Sequence, residues 1–211
     1  MRVLELFSGT GSVGTFLRRR YPGCEIVSLD RNPKWNATHT VDIMDWDYRM
    51  AYPPHSFDVV WASPDCRFYS QARRVWIGRM VGSSVLTAAR YKRDVRSANR
   101  VVRRVLDIIS YLAPRVWVIE NPQTGLLKNQ RFMRDIPYAD ADYCMYSRWG
   151  YRKRTRFWSN VDLSHLQQCN KRCGNMIGSR HRVKVDQTST YEAYRIPERL
   201  LKAIFDAAIK G

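Results

Sequence analysis

Acidic residues are scarce in this chain: 19 Asp and Glu stand against 36 Lys and Arg in 211 residues, a formal charge of +17. A deficit of that size argues for a polyanionic partner, nucleic acid above all, although charge bears on association and not on fold. No apolar run is long enough to cross a bilayer, and no secretory leader is expected at the amino terminus, which sets aside a membrane-spanning or exported chain. Five cysteines, an odd count, cannot all pair with one another and point to a reducing, intracellular compartment. Repeats and low-complexity segments are missing too, which removes solenoids and disordered arrays. What remains is a chain with 45% hydrophobic residues, enough for one domain with a core and too short for two comfortable ones.

The amino terminus carries the first positive signal. Arg2–Phe7 reads as a short buried strand, and Gly9-Thr10-Gly11-Ser12-Val13-Gly14 turns from it into a helix reaching Tyr21. A second strand, Glu25–Leu29, ends at Asp30. Glycines let backbone approach a ligand closely, and an acid at the tip of the second strand can accept from both hydroxyls of a ribose. A nucleoside cofactor follows, with nicotinamide, flavin and S-adenosylmethionine all compatible. Val41-Asp42-Ile43 is a candidate end of a third strand, where a carboxylate meets an adenine amino group; Asp42 reads equally as a solvated loop acid.

Phe57–Ala62 is strand-like, and Ser63-Pro64-Asp65-Cys66 follows it directly. In an open α/β sheet ligands collect beyond the carboxyl ends of the strands, so Cys66 is a candidate nucleophile at a cleft. From Arg67 to Arg104 there are eleven Lys or Arg and one acid, Asp94. The later part, with Val95, Ala98, Val102, Val105, Ile109 and Leu112, has helical spacing; residues 67–93 read as a mobile basic loop that orders over a ligand, contacting phosphate. Val116–Ile119 is another strand, ending at Glu120-Asn121, and Arg152, Arg154 and Arg156 share one face if their run is a strand.

Phe7-Ser8-Gly9-Thr10-Gly11, Pro64-Asp65-Cys66, Glu120-Asn121 and Arg154-Thr155-Arg156, in this order and at these intervals, resemble the cofactor, nucleophile, glutamate and arginine motifs of the cytosine-5 DNA methyltransferases. The similarity runs from Met1 to about Asn160, resumes weakly at Ala193–Pro197, and is greatest to short stand-alone enzymes of phages and large DNA viruses. The resemblance implies a doubly wound, mostly parallel α/β sheet of the Rossmann-like methyltransferase type with a very small recognition region. It implies S-adenosylmethionine at Phe7, Gly9, Thr10, Gly11, Asp30, Asp42 and Pro64, and catalysis by Cys66, Glu120, Arg154 and Arg156 on a flipped cytosine. DNA contacts are expected from Arg67, Arg90, Lys92, Arg93 and Arg152. Three segments follow: a catalytic domain over 1–160, a small basic region over 161–192, and a returning helix over 193–211. The short middle segment implies a short target, CpG or looser. The expected partner is DNA, with RNA as the alternative substrate and a silent nucleic-acid-binding protein as the third reading. A monomer without membrane attachment is expected, in the cytoplasm or nucleus of a host if virus-encoded.

Departures from the family pattern are Asp65 before and Arg67 after the cysteine, which push its pKa in opposite directions, Pro122 after Glu120-Asn121, and Arg152 where a glutamine is usual. His165-x3-Cys169-x3-Cys173-x7-His181 contains zinc-ligand types without the spacing of a common finger. No metal is expected; Cys169, Cys173 and His181 are the residues that would hold one. Cys24 and Cys144 read as packing residues.

Overall fold

The structure, a computed structural model, describes residues 1–210; Gly211, the end of the expected returning segment, lies outside the described residues. In chain order the elements are β1 (Arg2–Leu6), α1 (Ser12–Arg20), β2 (Glu25–Asp30), β3 (His39–Thr40), α2 (Tyr48–Ala51), β4 (Val59–Ala62) and α3 (Gln71–Val75). A small hairpin of β5 (Met80–Val81) and β6 (Ser84–Val85) precedes α4 (Ala88–Leu112), β7 (Val116–Pro122), β8 (Tyr138–Asp142) and β9 (Arg154–Ser159). A second hairpin, β10 (Met176–Ile177) with β11 (Arg180–His181), leads to α5 (Thr190–Tyr194) and α6 (Glu198–Lys210).

Seven strands form one sheet in the order β3-β2-β1-β4-β7-β9-β8. β1 pairs in parallel with both β2 and β4, and β4 with β7; β9 runs antiparallel to β7 and β8. The strand order reverses at β1 and β4, where the carboxyl ends splay apart and a ligand crevice opens. Side chains alternate between two buried layers. Leu4, Leu6, Val60, Ala62, Ile119 and Trp158 face α4, whereas Val3, Val59, Trp61, Val118 and Phe157 face α1 and α6. Both faces being covered, β4 is buried throughout, as a strand inside a parallel sheet must be.

Two expectations are corrected. The third strand stops at Thr40, so Asp42 sits in the following turn, its Oδ1 accepting from the Met44 amide. Residues 67–93 are not one loop: Thr87 caps α4 by accepting from the Arg90 amide, and the helix runs for 25 residues from Ala88. It ends where Ala113 turns left-handed (φ 45°), just before Pro114. Among the described residues no helix is long and apolar enough to cross a membrane.

Candidate active site

A cavity of about 500 Å³ opens over the carboxyl ends of β1, β2, β4 and β7. Its near wall is the turn after β1. Phe7 (φ 59°) and Gly9 (φ 48°) both take left-handed backbone, and a Cβ added at Gly9 would meet nothing nearer than 3.8 Å, so the turn exposes its backbone to the cavity. Gly11 (φ 65°) caps α1 and lines an adjoining hollow together with Gly9 and Thr10. Asp30 braces this turn, its Oδ2 accepting from the Gly9 amide at 2.9 Å, and both Asp30 and Asp42 line the cavity.

Glu5, which the sequence reading did not single out, is buried under the same turn. It accepts from the amide of Gly14 at 3.0 Å and from that of Val13. Gly14 is required there, since a Cβ would lie 2.9 Å from Glu5 Oε2. Burial pushes the Glu5 carboxyl up to about 7, with the two amides and Arg18 only partly opposing it. A glutamate inside an otherwise apolar first strand was the available signal. Glu5, Asp30, Asp42, Asp65 and Glu120 line the cavity against three cations, Arg31, Arg67 and Lys153. In a chain of charge +17 this is a local inversion of sign, suited to a cationic ligand.

Pro64 and Cys66 enter from the loop after β4, and Glu120 from the end of β7. The two strands are hydrogen-bonded neighbours, with Ala62 paired to Ile119. Asn121, buried, donates to the Pro64 carbonyl at 2.8 Å and holds the cysteine loop against β7. Tyr69 continues that anchoring: its hydroxyl donates to Asn99 Oδ1 on α4, and its carbonyl accepts from the Leu126 amide. Arg67 turns back onto Asp65 in a forked pair at 2.6–3.1 Å. Burial opposes ionisation of Asp65, yet the hydrogen bonds from Arg67 hold its pKa below the ordinary value. The two departures flanking Cys66 therefore pair with one another, and Asp65 still adds to the rise of the Cys66 pKa. Burial pushes the Cys66 thiol up, the charge of Lys153 pulls it down, and Glu120 and Asp65 push it up.

Lys153 is the second residue missing from the sequence reading. Its Nζ lies 4.0 Å from Glu120 Oε1, donates to the Ala193 carbonyl at 2.8 Å, and sits 4.9 Å from the centre of the Tyr143 ring. Glu120 Oε1 is buried and accepts no hydrogen bond from the described residues. The contact with Ala193 brings the returning chain to the cavity, where Tyr194 and Ile196 complete the wall.

Arg154 and Arg156 do not reach this cavity. Glu120 pairs with Phe157 across the sheet, so β9 presents Thr155 and Phe157 on the face of Glu120 and turns Arg154, Arg156 and Trp158 to the opposite face. Arg156 is held by Asp140 at 2.7 and 2.9 Å and lies 3.5 Å from the Tyr138 ring centre. Arg154 is held by Asp142, which is fully buried. Arg152 precedes β9 and is exposed, so it does not share a strand face with them. Arg90, Lys92 and Arg93 lie on the first turns of α4, the latter two exposed. His165 bonds to the Ala203 carbonyl, away from Cys169, Cys173 and His181, which meet the sulfur of Cys144 instead. Cys144 is thus not only a packing residue.

No protein-family model matches the chain. It is 35% identical over 222 aligned positions to the "Probable DNA (cytosine-5)-methyltransferase" of Frog virus 3 (isolate Goorha), covering 98% of this chain and 99% of that one. The fold is similar to the crystal structure of a putative DNA modification methyltransferase encoded within a prophage (E. coli), with a TM-score of 0.52 and 15% identity. That alignment covers 78% of this chain and 49% of the prophage protein, so this chain spans about half of its length.

Proposed function

The chain belongs to the cytosine-5 DNA methyltransferase family, and from that premise we propose that it transfers a methyl group from S-adenosylmethionine to carbon 5 of cytosine in DNA. One observation carries the reading: Cys66 and Glu120 line one cavity with the glycine turn and Asp30.

S-adenosylmethionine would be held along Phe7–Gly11, with Asp30 toward the ribose, Asp42 toward the adenine amino group and Pro64 at the methyl end. The acid-rich lining suits its sulfonium charge. When bound, it supplies an electrophilic methyl group.

The protein's part is to make carbon 5 of cytosine nucleophilic. Cys66 gives its thiol proton to solvent, favoured by the positive charge of Lys153, and its sulfur forms a bond to carbon 6 as the electrons of the carbon 5–carbon 6 double bond shift toward carbon 5. Carbon 5 would take the methyl group of S-adenosylmethionine, whose sulfur leaves with the electron pair of the broken carbon–sulfur bond; passage of the carbon 5 proton to water and departure of the Cys66 sulfur as thiolate would then restore the ring. Glu120, whose Oε1 accepts no hydrogen bond from the described residues, takes the exocyclic amine and ring nitrogen 3, supporting charge as it develops. Lys153 takes the role expected of the arginines and holds the base carbonyl oxygen. Arg154 and Arg156 instead fasten β9 to β8. The target base must leave the duplex to reach Cys66, and the positive charge of the stretch from Arg67 onward supports assigning it to the DNA phosphates.

Among the described residues, the region between Asn160 and Ala193 has no regular element beyond a hairpin of two-residue strands, a short helical turn and the start of α5. Lys171, Arg172, Arg180, Arg182 and Lys184 there suit phosphates, which position a protein without conveying sequence. The target is therefore short, CpG or looser. Incubation with S-adenosylmethionine and a random-sequence duplex, followed by bisulfite sequencing, tests both parts. Methylcytosine in a context of one or two fixed bases is expected. Its absence contradicts the activity; confinement to a motif of four or more fixed bases contradicts the short target.

A further inference from the structure

Four side chains that the methyl-transfer reading leaves without a task converge in the region after β8. The sulfurs of Cys144, Cys169 and Cys173 and an imidazole nitrogen of His181 all lie within 4.8 Å of one another. Cys169 Sγ is 3.6 Å and Cys173 Sγ 3.3 Å from His181 Nε2. Zinc bonds of about 2.3 Å to sulfur and about 2.05 Å to nitrogen give a tetrahedral sulfur-to-nitrogen edge of roughly 3.6 Å and a sulfur-to-sulfur edge of roughly 3.8 Å. The Cys169 distance matches that edge, the Cys173 distance is about 0.3 Å shorter, and the longest separation exceeds the sulfur edge by only about 1 Å, within reach of a rotamer adjustment. We propose that Cys144, Cys169, Cys173 and His181 bind one structural zinc ion.

The surroundings are built for thiolates. Lys171 adopts left-handed backbone (φ 69°), uncommon outside glycine, and its amide donates to Cys169 Sγ, 3.2 Å away. Three thiolates on a divalent ion leave one net negative charge, in a segment where Lys171, Arg172, Arg180 and Arg182 neighbour the ligands in sequence. All four protein ligands close the coordination shell, as in structural rather than catalytic zinc sites. On binding, the three thiols release their protons as the sulfur–zinc bonds form, and no redox change is involved.

The position explains the need. Cys144 follows β8, Cys169 and Cys173 lie on an irregular loop, and His181 ends the second hairpin, so one ion would tie three separate segments. That region has little core of its own, the condition under which small folds use a metal as a staple. Asp142 carries the tie onward, its Oδ2 accepting from the Cys169 amide at 2.6 Å and from Arg154 at 2.7 Å, at the start of β9 beside Lys153.

The full chain, produced in zinc-supplemented medium and purified without chelator, should contain one zinc per molecule by elemental analysis. Exchange for cobalt(II) should give the intense visible bands of a tetrahedral ion together with thiolate charge-transfer absorption. Cys169→Ser and Cys173→Ser should lose stoichiometric zinc and those bands, while Cys24→Ser keeps both. Because these losses could reflect misfolding, His181→Cys provides the second arm: it should retain one metal with stronger charge-transfer absorption, four thiolates replacing three. Folded wild-type protein with substoichiometric zinc and no cobalt bands would overturn the proposal, as would zinc content that Cys169→Ser and Cys173→Ser leave unchanged.

Discussion

Replacing Lys153 by methionine removes a charge while keeping most of the side-chain volume. The ammonium is 4.0 Å from Glu120 Oε1, and both side chains are largely buried, at 15% and 9% exposure. At that separation and an effective dielectric constant of about 20, a unit pair is worth about 4 kcal/mol. That pairing is with Glu120 and not with the reacting atoms; the attack of Cys66 should lose what one charged donor to the base carbonyl oxygen supplies, about 2.7–4 kcal/mol, roughly 100- to 1,000-fold in rate. The sign of the pH effect is also fixed. Lys153 lowers the Cys66 pKa against burial, so removing it raises that pKa further and moves the rise of the pH–rate profile to higher pH. The assay is the single-turnover rate of covalent adduct formation on a 5-fluorocytosine duplex, from pH 6 to pH 10. Lys153→Arg should recover most of the rate, and cofactor affinity should hold in both variants. Arg156→Met is the contrast. Breaking its buried pair with Asp140 should cost about 3–5 kcal/mol of stability, yet leave the adduct rate per folded molecule unchanged. A wild-type rate in Lys153→Met, with a large loss in folded Arg156→Met, would refute the assignment.

Three further outcomes follow from the same geometry. Asp30→Ala should weaken S-adenosylmethionine binding by about 1–3 kcal/mol in calorimetry, since the carboxylate both braces Gly9 and faces the cavity; unchanged affinity would move the ribose contact elsewhere. Replacing Arg90, Lys92 and Arg93 together by Ala should flatten the dependence of DNA affinity on salt, each lost phosphate contact removing about 0.9 from the logarithmic slope, without changing which cytosines are methylated. An unaltered slope would show that the start of α4 lies away from DNA. Glu5 makes stability depend on pH: its folded pKa of about 7 exceeds the ordinary 4.5, so the native state holds a proton that the unfolded chain releases. This contribution, on the order of 3 kcal/mol at most, is complete below pH 4.5 and is lost as pH rises through 7. Glu5→Gln should therefore gain stability relative to wild type between pH 5 and pH 8 in denaturant titrations; parallel curves would contradict the buried-acid account.

Strand ends made much of the site legible. Cys66 and Glu120 each follow a short run of apolar, β-branched residues, and in a parallel sheet such ends converge on one edge whatever the details of packing. The arginines misled because a resemblance supplies the order of residues and not the parity of the strand. β9 starts at Arg154, and its pairing with β7 puts odd-numbered Thr155 and Phe157 beside Glu120. A signal was present: Asp140-x-Asp142 repeats the spacing of Arg154-x-Arg156, the mark of a charged ladder between adjacent strands. Cys144 was hidden by distance, 25 residues before Cys169, so no local spacing announces the cluster. The basic composition of 67–93 masked the Thr87 cap, since charge and helix signals overlap there.

Whether Cys66 attacks cytosine is tested most directly by incubating the protein with S-adenosylmethionine and a duplex carrying 5-fluorocytosine, in which fluorine blocks loss of the carbon 5 substituent and stops the cycle at the covalent stage. The account predicts a denaturation-resistant protein–DNA adduct in which peptide mapping finds the nucleotide on Cys66, and no adduct from Cys66→Ala, which should still bind cofactor and DNA. An adduct that persists in Cys66→Ala would contradict it.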